Sequence, residues 1–169
     1  MIRVLIADDH AIVREGLKQV LSEAKDMVVA GEAENGQQVL EQIRKQDWDV
    51  VVLDMTMPGI SGIDLIKRIR HEKPELRVLV LSMHREDQFA IRALKAGASG
   101  YVTKGSATEL LVAAIRRVAQ GGKHISRDLA EKLVCELDPF AERPLHAALS
   151  DREYQVLRLL ASGKNVNEI

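Results

Sequence analysis

Three short runs in this chain, VLIA at 4–7, VVVL at 50–53 and VLVL at 78–81, are apolar at every position. A strand with one face in water alternates apolar and polar residues, so runs without alternation need cover on both faces. Parallel sheets flanked by helices supply that cover. The runs belong to a longer series of strand-like segments at 2–7, 27–30, 50–53, 78–81 and 100–103, each followed by a stretch with helical spacing. Within 11–24, Val13, Leu17, Val20, Leu21 and Ala24 fall on one helical face, as do Ala107, Leu111, Ala114 and Val118 within 107–119. Ser106 and Glu109 have the spacing of a capping box at the start of the latter. The alternation predicts an α/β fold, a five-stranded parallel doubly wound sheet, over residues 1–120.

Composition narrows the function. With 24 basic and 25 acidic residues, bulk charge gives no sign of nucleic-acid binding. Only five of 169 residues are aromatic, so the core must be aliphatic. The single cysteine, Cys135, excludes an internal disulfide, and it is assigned to packing, as is Trp48. No apolar run approaches the ~18 residues that suggest a membrane span, and no targeting segment is visible, so a cytoplasmic protein without membrane contact is expected.

After Gly121-Gly122 the pattern changes. Residues 121–148 read as a linker, with a possible short helix at 126–137 and exposed Asp138-Pro139 and Arg143-Pro144 steps. A second unit opens at 149–169. There Ser150 and Glu153 have capping-box spacing, Tyr154, Leu157, Leu160 and Ala161 form an apolar face, and Gly163 stops the helix.

In open α/β sheets, ligands bind beyond the carboxyl ends of the strands. The residues just past the strands are Asp8 and Asp9, then Asp54, Ser82 and Lys104. One acid at a strand end is commonly a helix cap or a solvated turn. Three carboxylates on one rim repel each other, a cost that a cation offsets, and hard oxygen ligands suit Mg²⁺. Pro58-Gly59 and Gly62 surround Asp54 with a turn whose amides can approach a phosphate.

The DDH at 8–10, LDMTMPGISG at 53–62, LSMH at 81–84 and GYVTKG at 100–105 together resemble the receiver domain of bacterial two-component response regulators, over residues 1–120. The later LSDREYQVLRLLASGKNVNEI resembles the start of a LuxR-type helix-turn-helix, and the combination is similar to the NarL/FixJ class. The resemblance implies a flavodoxin-like receiver followed by an incomplete all-α DNA-binding unit. It makes Asp54 the acceptor of a phosphoryl group from a sensor histidine kinase or a small acyl phosphate. Asp9, Asp54 and the backbone carbonyl of Thr56 would hold Mg²⁺, with Asp8 acting through a water. Lys104 and Ser82 would meet the phosphoryl oxygens, and Tyr101 would be the switch aromatic, turning inward as Ser82 moves toward the phosphate. Met55, Thr56, Met83 and His84 stand where the family tunes phosphoryl lifetime. The chain is then expected to modify itself without turning over a substrate, and to control transcription through DNA. The second helix of the helix-turn-helix has barely begun at Ile169, so residues 1–169 alone are not expected to bind an operator.

Three alternatives fit less well. A haloacid-dehalogenase-type phosphatase carries its nucleophile in a DxD after the first strand, whereas the acids here are adjacent. A flavodoxin-type loop would be spoiled by two acids facing a phosphate. A stand-alone phosphorelay carrier would not need the capped helix at 150–161. A phosphorylation-dependent homodimer is expected from aliphatic residues away from the core faces, Ile12 on the first helix, Val112 and Ala113 on the fifth and Ile91 and Leu94 on the fourth, through a patch built from the first and fifth helices or from the fourth and fifth.

Overall fold

Strands that are apolar on both sides require helices on both faces, and the computed structural model has that arrangement. It describes residues 1–83, 88–106 and 108–137, together with 149, 150, 153, 156 and 157. Strands β1 (Ile2–Ala7), β2 (Met27–Ala33), β3 (Val50–Asp54), β4 (Arg77–Ser82) and β5 (Gly100–Thr103) form one parallel sheet in the order β2-β1-β3-β4-β5. Helices α1 (Ala11–Ser22), α2 (Gly36–Lys45), α3 (Gly62–Glu72) and α4 (Gln88–Lys95) connect them, and α5 (Thr108–Ala119) and α6 (Arg127–Leu137) follow.

Alternate residues of each central strand enter different cores. Leu5, Val51, Leu53, Val78 and Val80 join Val39, Ile43, Ile66 and Ile69 on one side. Val4, Ile6, Val50 and Val52 join Leu17, Leu21, Leu111, Ile115 and Val118 on the other. Both sets are buried, which is why the runs do not alternate. Each fully buried aliphatic side chain contributes about 1.5–3 kcal/mol.

Several sequence expectations are revised. β2 runs to Ala33, beyond the expected 27–30, because Gly31 and Glu32 interrupt the apolar run without interrupting the pairing. A register shift between Val4 and Leu5 accommodates the extra residue. α1 stops at Ser22, where the Ala24 amide turns back to the Leu21 carbonyl. The capping box read at 106–109 is not formed: the Ser106 hydroxyl lies 2.8 Å from Thr103 Oγ1, and Glu109 accepts from the Thr108 hydroxyl at 3.4 Å. Ile91 is fully buried and Leu94 packs against the first core, so neither is a surplus surface aliphatic. Trp48 packs as expected, with Nε1 donating to the Gln42 carbonyl at 3.0 Å, but Cys135 is exposed on α6.

α6 forms where a short helix was possible, with the Ser126 hydroxyl accepting from the Leu129 amide at 3.1 Å. Leu129 is completely buried in the first core, and Leu133 packs on it. Just before α6, His124 bridges to Gly100 at the edge of β5. The Ser150–Glu153 capping box is present: Glu153 Oε2 accepts from the Ser150 amide at 2.8 Å, and Ser150 Oγ accepts from the Glu153 amide at 3.3 Å. Ala107, His84, and the rest of the expected linker and helix-turn-helix lie outside the described residues.

Candidate functional site

The strand order reverses at β1 and β3, and the register there aligns the acids. Ala7 pairs with Leu53, so Asp8 and Asp54 each stand one residue past the same rung. Asp54 pairs with Leu81 and Ser82 with Thr103, which places Ser82 and Lys104 one step further along the same rim. The Lys104 amide donates to the Ser82 carbonyl at 2.8 Å and ties those two together.

Asp8 and Asp54 are only 1% and 2% exposed. Lys104 Nζ lies 2.5 Å from Asp8 Oδ2 and 3.2 Å from Asp54 Oδ1, bridging the two carboxylates. Burial pushes the lysine toward its neutral form, but its hydrogen bond to Asp8 and the charges of Asp54 and Asp8 outweigh that. Its pKa is raised above the ordinary value of 10.5. Asp54 Oδ2 accepts from the Thr56 hydroxyl at 2.7 Å. Asp54 Oδ1 is different: it is buried and accepts no hydrogen bond. Its 3.2 Å contact with Lys104 is an ion contact that lacks hydrogen-bond alignment.

Asp9 is exposed and turns toward His10, whose Nδ1 lies 2.9 Å from Asp9 Oδ1 and 3.2 Å from Asp8 Oδ1. Donor atoms of Asp8, Asp9 and His10 lie within 4.8 Å of one another, and Asp54 falls outside that set. Around Asp54 the chain turns sharply. Gly59 has φ of +93°, in the left-handed region, and a Cβ on Gly62 would sit 3.1 Å from the Met55 Cα. Ser82 is fully buried, and Tyr101 is 1% exposed, already inside the first core.

Residues 4–116 match the response regulator receiver domain. The chain belongs to the response regulators. Response regulator UvrY of Escherichia coli strain K12 is 36% identical over 170 residues, covering all of this chain and 78% of UvrY. A two-component response regulator of the LuxR family from Aurantimonas sp. SI85-9A1 is 37% identical, with a TM-score of 0.73 over 79% of this chain and 96% of that one. RcsB, solved as two dimers bound to two parallel DNAs, is 32% identical, with a TM-score of 0.71 over 99% of this chain and 80% of RcsB. Among the described residues of this response regulator, no helix is long and apolar enough to cross a membrane.

The receiver site also holds groups that sequence reasoning passed over. Thr56 offers more than the carbonyl its position suggests: its hydroxyl donates to the Asp54 carboxylate at 2.7 Å. His10, which the DDH motif alone gives no role, reaches both Asp8 and Asp9 with its ring. Arg14, buried on α1, donates Nη1 to the Asp8 carbonyl at 2.8 Å. Its signal was a lone arginine one turn before Leu17 on the buried face of α1.

Proposed function

We propose that this response regulator accepts a phosphoryl group on Asp54 from a histidine of a sensor kinase or from a small acyl phosphate. The transfer controls a DNA-binding unit that regulates transcription. The observation that carries the reading is Asp54 Oδ1, a buried carboxylate oxygen without a hydrogen bond, facing the Lys104 ammonium. As Oδ1 attacks phosphorus, the bond from phosphorus to the donor breaks, and the donor leaves with that electron pair. Lys104 supplies a compact positive charge to the incoming oxygens, and Ser82, on the same rim, supplies a hydroxyl.

Two buried carboxylates share one ammonium here with a third beside them on Asp9, and a buried oxygen is left without a donor, so the residues fit a divalent cation. Asp9, Asp54 and the Thr56 carbonyl would hold Mg²⁺, with Asp8 acting through a water. When bound, the ion neutralises phosphoryl oxygen charge. Tyr101 and the Ser82–Lys104 rim transmit the change, because the Lys104 amide is bonded to Ser82 and Tyr101 lies on the intervening strand.

The protein modifies and releases its own aspartyl phosphate and is not a turnover enzyme. In this reading it works in the cytoplasm, with residues 1–120 as the receiver, 121–148 as the connection and 149–169 as the opening of a LuxR-type helix-turn-helix. The reciprocal Ser150–Glu153 bonds support that last assignment, as does the DNA-bound state of the similar RcsB. RcsB dimers and the exposed Ile12 support a phosphorylation-dependent homodimer.

The test is Mg²⁺-dependent labelling. With an acyl phosphate donor the chain gains one phosphoryl group that hydroxylamine removes, while a chelator prevents the gain and Asp9→Ala nearly abolishes it. Labelling that a chelator leaves untouched contradicts the metal's part in the reading.

A further inference from the structure

Arg14 lies outside the set of residues that would touch phosphoryl or metal, yet its guanidinium is built into the back of the site. The residue is 8% exposed and uses its donors in three directions. Nη1 donates to the Asp8 carbonyl at 2.8 Å, Nε to Glu32 Oε2 at 3.1 Å, and Nη2 to Glu34 Oε1 at 2.6 Å. A buried cation without partners costs several kcal/mol, so the two carboxylates explain how its charge is tolerated. They do not explain why the third donor points at the backbone of Asp8. Lys18 extends the network, meeting Glu32 Oε1 at 2.9 Å and Glu15 at 2.7 Å, and so braces the arginine's own partner.

The geometry points to Arg14 as a positioning residue that fixes the Asp8–Asp9 turn and thereby sets the chain's affinity for a divalent cation. This rests on the reading of Asp8 and Asp9 given above. The Asp8 carbonyl and the Asp9 amide share one rigid peptide plane, so the bond from Arg14 sets the orientation from which Asp9 departs. Asp8 is held at every other polar atom as well. Its amide donates to the Ala33 carbonyl at 3.1 Å, and Oδ1 accepts from the His10 amide at 2.9 Å. Oδ2 accepts from Lys104. Asp9 is exposed, its side chain meets only the exposed His10 ring, at 2.9 Å, among the described residues, and its backbone departs from the plane that Arg14 holds. Glu32 ends β2 with Ala33, and Glu34 follows it, so Arg14 also anchors the turn to the neighbouring strand. The planar fork spreads its N–H donors over three nitrogens and so reaches two carboxylates and a carbonyl in different directions; a lysine has three donors on a single nitrogen and cannot span them in the same way.

The experiment compares the full chain with Arg14→Met, Arg14→Lys and Glu34→Gln. Mg²⁺ affinity is read by calorimetry, and amide exchange at Asp9 and His10 is read without metal. Partners that orient metal ligands typically change affinity by 10–100-fold, so Arg14→Met is expected to weaken Mg²⁺ binding by about tenfold or more. Arg14→Lys recovers part of that loss, and Glu34→Gln shows a smaller one. Exchange at Asp9 and His10 speeds up in the same order, and the labelling rate at saturating Mg²⁺ falls less than the affinity does. A merely structural arginine would lower global stability and leave affinity and local exchange alone; that result in folded Arg14→Met overturns the inference. If Arg14→Met does not fold, Glu34→Gln decides, and unchanged Mg²⁺ affinity and unchanged exchange there overturn it. If the unaltered chain binds no Mg²⁺, the metal reading fails, and amide exchange alone decides whether Arg14 holds the turn.

Discussion

Lys104 is the cation that makes a pair of almost fully buried carboxylates tolerable, since both Asp8 and Asp54 lie within 3.2 Å of it. Removing it leaves two buried negative charges uncompensated and takes a positive charge from the reacting oxygens. Lys104→Ala is therefore expected to slow labelling by an acyl phosphate roughly a hundredfold, read as an initial rate at saturating Mg²⁺. A rate within a few-fold of the unaltered chain would sink the role given to Lys104. Its raised pKa means the ammonium stabilises the fold fully below the ordinary value of 10.5 and loses that contribution only as pH rises through the higher folded value. Across neutral pH the lysine contributes no titration step. Asp8, Asp9, Asp54, Ser82 and Lys104 were legible because each stands at the end of a strand-like run or just past it, where position assigns the rim. Arg14 and the Thr56 hydroxyl were not, because their partners come from backbone geometry that spacing does not record. The contacts of the His10 ring depend on how the turn after β1 folds back, which the motif does not encode.

At the scale of elements, the central strands were legible because burial on both faces leaves unbroken apolar runs. The end of β2 was not, since Gly31 and Glu32 mimic a turn while the ladder continues to Ala33. α6 had the spacing of a helix, but nothing in its sequence told that it would bury Leu129 in the receiver core. Leu129→Ala is expected to destabilise the chain by about 2–5 kcal/mol, measured by denaturant unfolding. A loss under about 0.5 kcal/mol would mean that α6 does not dock. Ion pairs also join elements: Asp26 with Arg116, Glu72 with Arg44, and Glu32 with Lys18 and Arg14. Hydrogen bonds from these basic partners outweigh desolvation and hold Asp26 below its ordinary 3.8, and Glu72 and Glu32 below their ordinary 4.5. A lowered carboxylate pKa gives stability that is present above the unfolded value and lost as pH falls through the folded one. Unfolding monitored in acid should therefore show stability declining below those ordinary values, and Asp26→Asn should flatten part of the decline.

For the whole molecule, the placement of aliphatic residues discriminates between the two dimer faces. Ile91 is buried and Leu94 packs partly against the first core, so neither argues for a face on the fourth and fifth helices, and Leu94→Asp would test folding as well as association. Ile12 is 88% exposed on α1 and Leu110 is 43% exposed on α5, with Val112 partly buried on the same helix. A self-complementary patch on α1 and α5 would bury them. Moving a monomer–dimer balance fully from one side to the other takes about 5.5 kcal/mol of differential stabilisation, more than one ion-paired phosphoryl supplies, so a partial shift is expected. Sedimentation with a beryllofluoride phosphoryl mimic should show added mass, and Ile12→Asp should remove it. An unchanged mass over a wide concentration range contradicts the dimer.

The central claim, that Asp54 is the phosphoryl acceptor, is tested most directly by mapping the labelled site. After reaction with Mg²⁺ and an acyl phosphate, mass spectrometry of the intact chain and its peptides should find one hydroxylamine-labile phosphoryl group. It should lie on the peptide that contains Asp54, and Asp54→Asn should show none. A label of normal stoichiometry on the Asp54→Asn chain, or one mapped to the peptide of Asp8 and Asp9, would contradict the account.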